Sequence, residues 1–146
     1  ISDVLDDVRS KEISVGANYI FGFPDDNFDT MNETLQLAKK INAEFSNVYT
    51  CMALPGSPIY HEALKNGWDL PEKFSEYGFL SYECKPLPTK YLNSKEVLKF
   101  RDDAWHELYT NKRFLKMIES KFGNESKQNI IQQSKIHLKR KLLEEA

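Results

Sequence analysis

The stretch Gly16-Ala-Asn-Tyr-Ile-Phe-Gly-Phe-Pro-Asp-Asp26 is the most informative part of this sequence. Residues 13–21 are apolar on both faces and rich in strand-forming side chains, and a glycine and a proline end the run. A short apolar run bounded in this way is typical of a strand buried on both sides, as in a parallel sheet. Because side chains alternate along a strand, Asn18, Ile20 and Gly22 share one face.

Helices alternate with strands on both sides of this stretch. A second strand is predicted over residues 45–53, and helical spacing of apolar residues predicts helices over residues 1–12, 30–42 and 59–65. The second of these helices begins with Thr30-x-x-Glu33, which matches a capping box. Strands that alternate with helices indicate βαβ units and parallel pairing.

The second half of the chain is predicted to be irregular and then helical. Residues 68–91 hold prolines and scattered aromatic side chains. From Asn93 onward apolar residues recur at helical spacing, and the last helix is predicted over residues 125–143. The sequence thus predicts three parts, residues 1–67, 68–92 and 93–146.

An α/β chain with only two parallel strands cannot cover both faces of its own sheet. We therefore expect residues 1–67 to be the last strands and helices of a partial (β/α) barrel, and residues 93–146 to be a helical C-terminal extension. The first residue is Ile1 rather than Met, which agrees with this expectation of a piece from a longer parent protein.

Composition narrows the classes of function. With 40% hydrophobic and 29% charged residues, the chain has the composition of a soluble globular protein, and a net charge of −2 gives no basic surface for nucleic acid. No apolar run approaches the roughly 20 residues of a membrane span. Cys51 and Cys84 match neither a disulfide framework nor a zinc spacing, so we expect reduced thiols in a cytoplasmic protein.

The carboxyl end of the first strand is a candidate binding site on physical grounds. Parallel sheets and barrels place their sites at this end of the strands. Gly22 would let a flat ligand approach the backbone, Ile20 would offer an apolar contact, and Pro24-Asp-Asp26 would form the loop above. The alternative is a packed strand followed by a turn, which needs no ligand.

Three phrases of the sequence occur in order: Ile20-Phe-Gly-Phe-Pro-Asp-Asp26, Thr34-Leu35 and Pro55-Gly-Ser-Pro-Ile-Tyr60. Together they resemble the late barrel of radical S-adenosylmethionine (SAM) enzymes, and more narrowly the branch of that superfamily associated with cobalamin-binding domains. Residues 96–104 and 121–123 are similar to the helical tails of the same branch. The resemblance covers most of the chain and is weakest in the irregular segment.

This resemblance implies a set of SAM-binding residues. In the family, a strand pattern G-x-I-x-G-x-x-E lies against the adenine of SAM, and its four positions here hold Asn18, Ile20, Gly22 and Asp25. Two positions match, Asp25 is a shortened equivalent of the glutamate, and Asn18 departs from the family's glycine. The end of the next strand is also implied to lie near the adenine, which adds Met52, Ala53 and Leu54.

The resemblance further implies cofactors that the chain does not hold alone. The family binds a [4Fe–4S] cluster on a Cys-x-x-x-Cys-x-x-Cys loop, which Cys51 and Cys84 cannot replace. The parent protein is expected to use SAM and [4Fe–4S], and the involvement of cobalamin is left open. This chain is expected to have no catalytic residue or metal ligand of its own, and its partner is the upstream part of the parent. It would supply the adenine-side wall of the SAM site and part of the substrate side, and would be inactive alone.

Two other functions remain open. The chain could be a non-enzymatic interaction module whose helical half, from Asn93, docks a partner protein. It could also be a self-contained α/β enzyme of another kind, although the sequence offers no nucleophile–base pair and no phosphate loop.

Several polar residues have a plainer interpretation than a site. The histidines are expected at the surface of separate helices, and the acidic loop is expected to be solvated, with one aspartate capping a helix rather than binding a cation. The basic residues near the C-terminus are expected to form a solvated helix end. These sets are His61, His106 and His137; Asp25, Asp26 and Asp29; and Lys135, Lys139, Arg140 and Lys141.

Overall fold

Helices and strands alternate in the first half of the chain, and helices joined by irregular segments form the second. The structure is a computed structural model and describes residues 2–144. The elements, in chain order, are α1 (Ser2–Ser10), β1 (Gly16–Phe21), α2 (Phe28–Ile41), β2 (Phe45–Thr50), α3 (Pro58–Asn66), a 3₁₀ turn (Phe74–Tyr77), α4 (Ser94–Tyr109), α5 (Lys112–Gln133) and α6 (Lys141–Glu144).

The two strands pair in parallel, which confirms the predicted pairing. Gly16 lies opposite Phe45 and Phe21 opposite Thr50, so the register is continuous along both strands. Within residues 2–144 the sheet consists of these two strands. Two strands do not define a barrel, and the partial (β/α) barrel therefore stays a prediction.

One face of the sheet is buried beneath α2 and α4. Side chains of β1, β2, α2 and α4 form a single apolar core on this side: Tyr19, Phe21, Val48, Met31, Leu35, Ala38, Val97, Ala104 and Leu108. The edge-to-face contact of Phe21 with Phe100, at 5.2 Å between ring centroids, closes it. Because α4 packs directly on the strands, the helical part and the strand part share one core. The division at residues 68–92 remains a prediction.

The opposite face of the sheet is open. Asn18, Ile20, Phe45 and Asn47 lie on it and are exposed, with 43% of Ile20 accessible to solvent. Parallel sheets are as a rule covered on both faces. The expectation of a strand buried on both sides was therefore wrong for β1, because within residues 2–144 one of its faces carries exposed Asn18 and Ile20.

The two edges of the sheet differ. The outer edge of β2 is closed by α4, because the Tyr109 hydroxyl donates to the Ser46 carbonyl (2.7 Å) and accepts from its N–H (3.2 Å), and Arg101 Nε donates to the Val48 carbonyl (2.8 Å). Along a strand, successive residues direct their N–H and C=O groups to opposite edges. Those of Asn18 and Ile20 therefore point away from β2 and remain available to another strand. Further strands can therefore join this sheet only beside β1.

The start of α2 corrects one prediction. The capping box at Thr30-x-x-Glu33 was wrong, because the helix begins earlier, at Phe28, with Asn27 as its N-cap. The Asn27 side chain accepts from the N–H groups of Asp29 (2.8 Å) and Thr30 (3.0 Å), and the Thr30 hydroxyl accepts from the Asn27 N–H (3.0 Å). The helix is capped at Asn27 because the amide oxygen of this residue accepts from two N–H groups that would otherwise have no partner, which a cap at Thr30 would not provide.

The C-terminal region corrects two more. The helix predicted over residues 125–143 ends at Gln133, and α5 is itself broken at Gly123, which adopts φ +85°. The residues that follow form a turn and then an irregular stretch up to α6. Arg140 is not solvated, because its side chain is buried in an ion pair with Asp102 of α4. None of the helices among residues 2–144 has the length and apolar character needed to cross a bilayer.

Candidate functional site

A cavity of about 540 Å³ opens at the carboxyl end of β1 and β2. Its walls come from both strands, from the loops that follow them, from the start of α3 and from the irregular segment: Ile20, Phe23, Tyr49, Thr50, Cys51, Met52, Leu54, Pro58, Ile59 and Phe79. Among the described residues, none with a charged side chain lines it. A cavity with such a lining suits a flat, uncharged group rather than an ion.

Ile20 and Tyr49 form the floor of this cavity on the open face of the sheet. They are partners in the parallel register, so their side chains stand side by side. The ring of Phe79 contacts that of Tyr49, with 4.9 Å between centroids. Phe23 and Leu54 are about half exposed at the rim. The cavity is thus bounded by aromatic and aliphatic groups on several sides and open to solvent on one.

Gly22 lies against α4 and does not line the cavity. Its backbone has φ +83°, and a Cβ atom placed there would lie 2.4 Å from Val97 Cγ1. The packing of α4 therefore requires glycine at this position without any ligand. The contact between Gly22 and adenine stays a prediction.

Asp26, not Asp25, holds the loop after β1. One oxygen of the Asp26 carboxylate accepts from the N–H groups of Gly22 (3.0 Å) and Phe23 (2.9 Å), and the other accepts from the Thr30 hydroxyl (2.8 Å). Asp25 is exposed. The expectation that an aspartate caps the helix was wrong, because the N-cap is Asn27 and the Asp26 carboxylate binds the loop before it. The loop fixed by these bonds carries Phe23 to the rim of the cavity.

The other predicted residues divide between the cavity and its surroundings. Met52 and Leu54 line the cavity together with Ile20. Ala53 is buried beside Ala63 of α3 and does not reach it. Asn18 lies further down the open face, where its side-chain oxygen accepts from Asn47 Nδ2 (3.0 Å).

Sequence reasoning missed two aromatic walls of the cavity. Tyr49 could have been found, because a parallel register that places Ile20 on the open face places Tyr49 beside it. Phe79 lies in the irregular segment, where no period indicates which way a side chain points. Only the fold brings it over β2.

The two thiols do not fit a cluster or metal site. Burial raises the pKa of Cys51 to about 11, and the negative charge of Asp26 adds to the effect. Burial likewise raises the pKa of Cys84. Both thiols are therefore protonated at neutral pH, and among residues 2–144 no three His, Cys, Asp or Glu side chains are grouped as metal ligands.

A second cavity, of about 610 Å³, lies between α4 and the C-terminal segment. It brings His106 and His137 together with their rings stacked at 4.2 Å, a juxtaposition that their positions in the sequence did not indicate. Two of its basic groups are engaged with neighbouring carboxylates, since Lys99 pairs with Asp103 and Arg101 with Asp102, both at 2.7 Å. The lining also includes Lys95, so three basic side chains stand beside two acidic ones.

Comparison with known proteins gives one distant relative. A bacteriochlorophyllide d C-8(2)-methyltransferase from Chlorobaculum tepidum is 25% identical over 128 residues, which cover 82% of this chain. The chain spans only 28% of the length of that relative. No protein-family model matches the chain, and no solved structure matches it significantly.

Proposed function

We propose that this chain is part of a radical SAM enzyme, in which the cavity at the ends of β1 and β2 forms the adenine-side wall of the SAM site and part of the substrate side. The observation that carries the proposal is the apolar cavity itself. It lies where parallel strands place their ligands, and its floor is Ile20, the residue that the family pattern puts against adenine.

The lining fits one part of SAM and not the rest. An adenine ring is flat and uncharged, so it can stack on Tyr49 or Phe79 and lie against Ile20. The amino, carboxylate and sulfonium groups of SAM are charged, and this cavity offers them no charged partner. They would be held by residues outside it.

The open edge and face of the sheet support a role within a larger protein. Only the edge beside β1 can accept a further strand, and such a strand would continue the sheet over which the ligand lies. The distant relative is a methyltransferase more than three times as long as the matched region. The partner proposed for this chain is accordingly the rest of its parent protein.

The chain's own residues do not fit a [4Fe–4S] cluster, for which thiolates are needed. In this proposal the cluster belongs to the rest of the parent, and the role of cobalamin rests on the resemblance alone. The isolated chain is therefore expected to bind no iron on reconstitution and to show negligible heat of binding with SAM in calorimetry. Tight SAM binding by the isolated chain would contradict the proposal that the rest of the parent protein is needed to hold SAM.

The decisive experiment uses the complete parent protein. After anaerobic reconstitution with iron and sulfide, formation of 5′-deoxyadenosine from SAM and a reductant is followed by chromatography. Ile20→Arg is expected to lower the rate roughly tenfold or more, because a lost aliphatic contact of about 1.5 kcal/mol corresponds to a factor of this size. Leu37→Arg on the outer face of α2 is the matched control, since Leu37 and Ile20 are both 43% exposed. No 5′-deoxyadenosine from the parent, or equal rates in the two variants, would overturn the proposal.

The alternative function, docking of a partner through the helical half, has one observation in its favour. Phe122, Ile136 and Leu138 of this half are exposed apolar side chains. The inner face of α4, however, is already used by the strands. If the parent forms no 5′-deoxyadenosine, substitution of these three residues in binding experiments becomes the next test.

A further inference from the structure

Arg140 precedes α6 and is the most completely buried charged side chain described, with 1% of its surface exposed. Its Nε and Nη2 donate to the two oxygens of Asp102, each at 2.9 Å, and its Nη1 donates to the carbonyl of Ser81 at 2.8 Å. A two-point pair between guanidinium and carboxylate fixes distance and orientation together. Arg140 thus joins α4 to the irregular segment.

Asp102 connects this pair to the sheet. It also accepts from Arg101 Nη1 at 2.7 Å, and Arg101 Nε reaches the Val48 carbonyl of β2 at 2.8 Å. Burial opposes ionisation of Asp102, but hydrogen bonds from Arg140 and Arg101 outweigh it and hold the pKa of this carboxyl below its usual value. The path from β2 to Ser81 therefore runs through ionised groups of fixed geometry.

Ser81 lies two residues after Phe79, in a segment that forms turns rather than a helix or strand. Hydrogen bonds between this segment and the C-terminal residues include the bond from Arg140, the bond from the Lys141 N–H to the Tyr82 carbonyl (2.8 Å) and that from the Tyr82 hydroxyl to Glu144 (2.9 Å). Phe79, Leu142 and Leu143 also pack against one buried apolar cluster. The ring of Phe79 is thereby held over Tyr49, where it forms a wall of the cavity.

We propose that Arg140 is a positioning residue for the cavity: it fixes the turn around Ser81 and so holds Phe79 against Tyr49. The identity of the ligand rests on the proposed function, whereas the placement of the wall does not. Arg140 thus shapes the cavity from a distance, because neither it nor any other residue described after Phe79 lines the cavity. A ligand whose ring stacks between Tyr49 and Phe79 depends on this contact.

The test is made on the full chain by nuclear magnetic resonance with labelled aromatic rings. In Arg140→Met the ring-to-ring Overhauser effect between Tyr49 and Phe79 is expected to disappear, while that between Phe21 and Phe100 in the core persists. Asp102 keeps Arg101 as a partner in this variant, so no carboxylate is left unpaired. The matched control is Lys139→Met, at the neighbouring exposed position, which should leave both effects intact.

Retention of the Tyr49–Phe79 effect in folded Arg140→Met would overturn the proposal. If Arg140→Met does not fold, Arg140→Lys carries the test, because a lysine cannot bond Asp102 at two points and Ser81 at once. That variant is expected to weaken the Tyr49–Phe79 effect and to speed modification of Cys84, which is buried on the same segment. If Arg140→Lys changes neither the Tyr49–Phe79 Overhauser effect nor the rate of Cys84 modification, the proposal is rejected. Neither readout involves SAM, so this proposal and the proposed function can fail separately.

Discussion

Substitution of Gly22 tests the geometry at the end of β1 most sharply. In Gly22→Ala the new Cβ would lie 2.4 Å from Val97 Cγ1, and the backbone would keep φ +83°. Val97 is fully buried on α4, and a β-branched side chain in a helix has one preferred rotamer, so it cannot swing aside. The variant must therefore shift α4 or distort the loop.

The cost can be divided into two parts. A left-handed backbone costs an alanine about 1–2 kcal/mol, and overpacking of a buried site costs about 1–3 kcal/mol, which together give about 3 kcal/mol. Gly56→Ala provides the control for the first part, because Gly56 has φ +85° and open space around its Cβ position. It should lose about 1 kcal/mol.

Urea unfolding followed by circular dichroism measures both variants. A loss of about 3 kcal/mol moves the midpoint by about 1.5 M if the slope is near 2 kcal/mol/M. The double variant Gly22→Ala/Val97→Ala should be less destabilised than the sum of its single variants, because the clash is then removed. Equal losses for Gly22→Ala and Gly56→Ala, or strict additivity in the double variant, would refute the packing argument.

Three further predictions concern polar groups. Asp26→Ala should lower the free energy of unfolding by about 2 kcal/mol, since the N–H groups of Gly22 and Phe23 lose their acceptor. As a control, substitution of the exposed Asp25 by alanine should change this free energy by less than about 0.5 kcal/mol. Urea unfolding of both variants measures the difference. The pKa of Cys51 is raised from 9.0 to about 11, so its neutral thiol favours the folded state, and stability should fall as the pH rises from 9 to 11. Thermal unfolding of Cys51→Ala should show a smaller fall, and an equal one would contradict this. The pKa of Asp102 is lowered from its usual value of 3.8, so its ionised carboxylate stabilises the folded state above that pH. This stabilisation should be lost as the pH falls further. In acid unfolding, Arg140→Met should therefore lose less stability between neutral and low pH than the wild type does.

The parts of the fold that depend on local chemistry could be predicted. The apolar run before Gly22 predicted a strand, although β1 is buried on one face rather than on both. Gly67 predicted the end of α3, where it adopts the left-handed conformation that favours glycine. Asn93 was the predicted start of the helical half and is the N-cap of α4, with its side chain accepting from the Glu96 N–H. In each case the signal lies within a few residues of the feature it predicts.

The parts that depend on distant contacts could not be predicted. Phe79 reaches the cavity because a turn far along the chain is held to α4, and Arg140 is buried because Asp102 lies opposite it. A cluster of basic residues in a helix-like pattern gives no sign of such a partner. For the site, the family pattern identified Ile20, but the role of Gly22 in packing α4 could be seen only when Val97 was placed.

In the proposed function, the cavity at the ends of β1 and β2 receives the nucleoside of SAM. Photo-crosslinking of the reconstituted parent with a SAM analogue that carries an azide on the adenine ring tests it most directly, with peptide mapping of the attachment points and excess SAM as competitor. Label displaced by SAM is expected within residues 20–23, 49–54 or at Phe79. Label confined to the cavity around Trp105 and His137, or absent from this chain altogether, would contradict it.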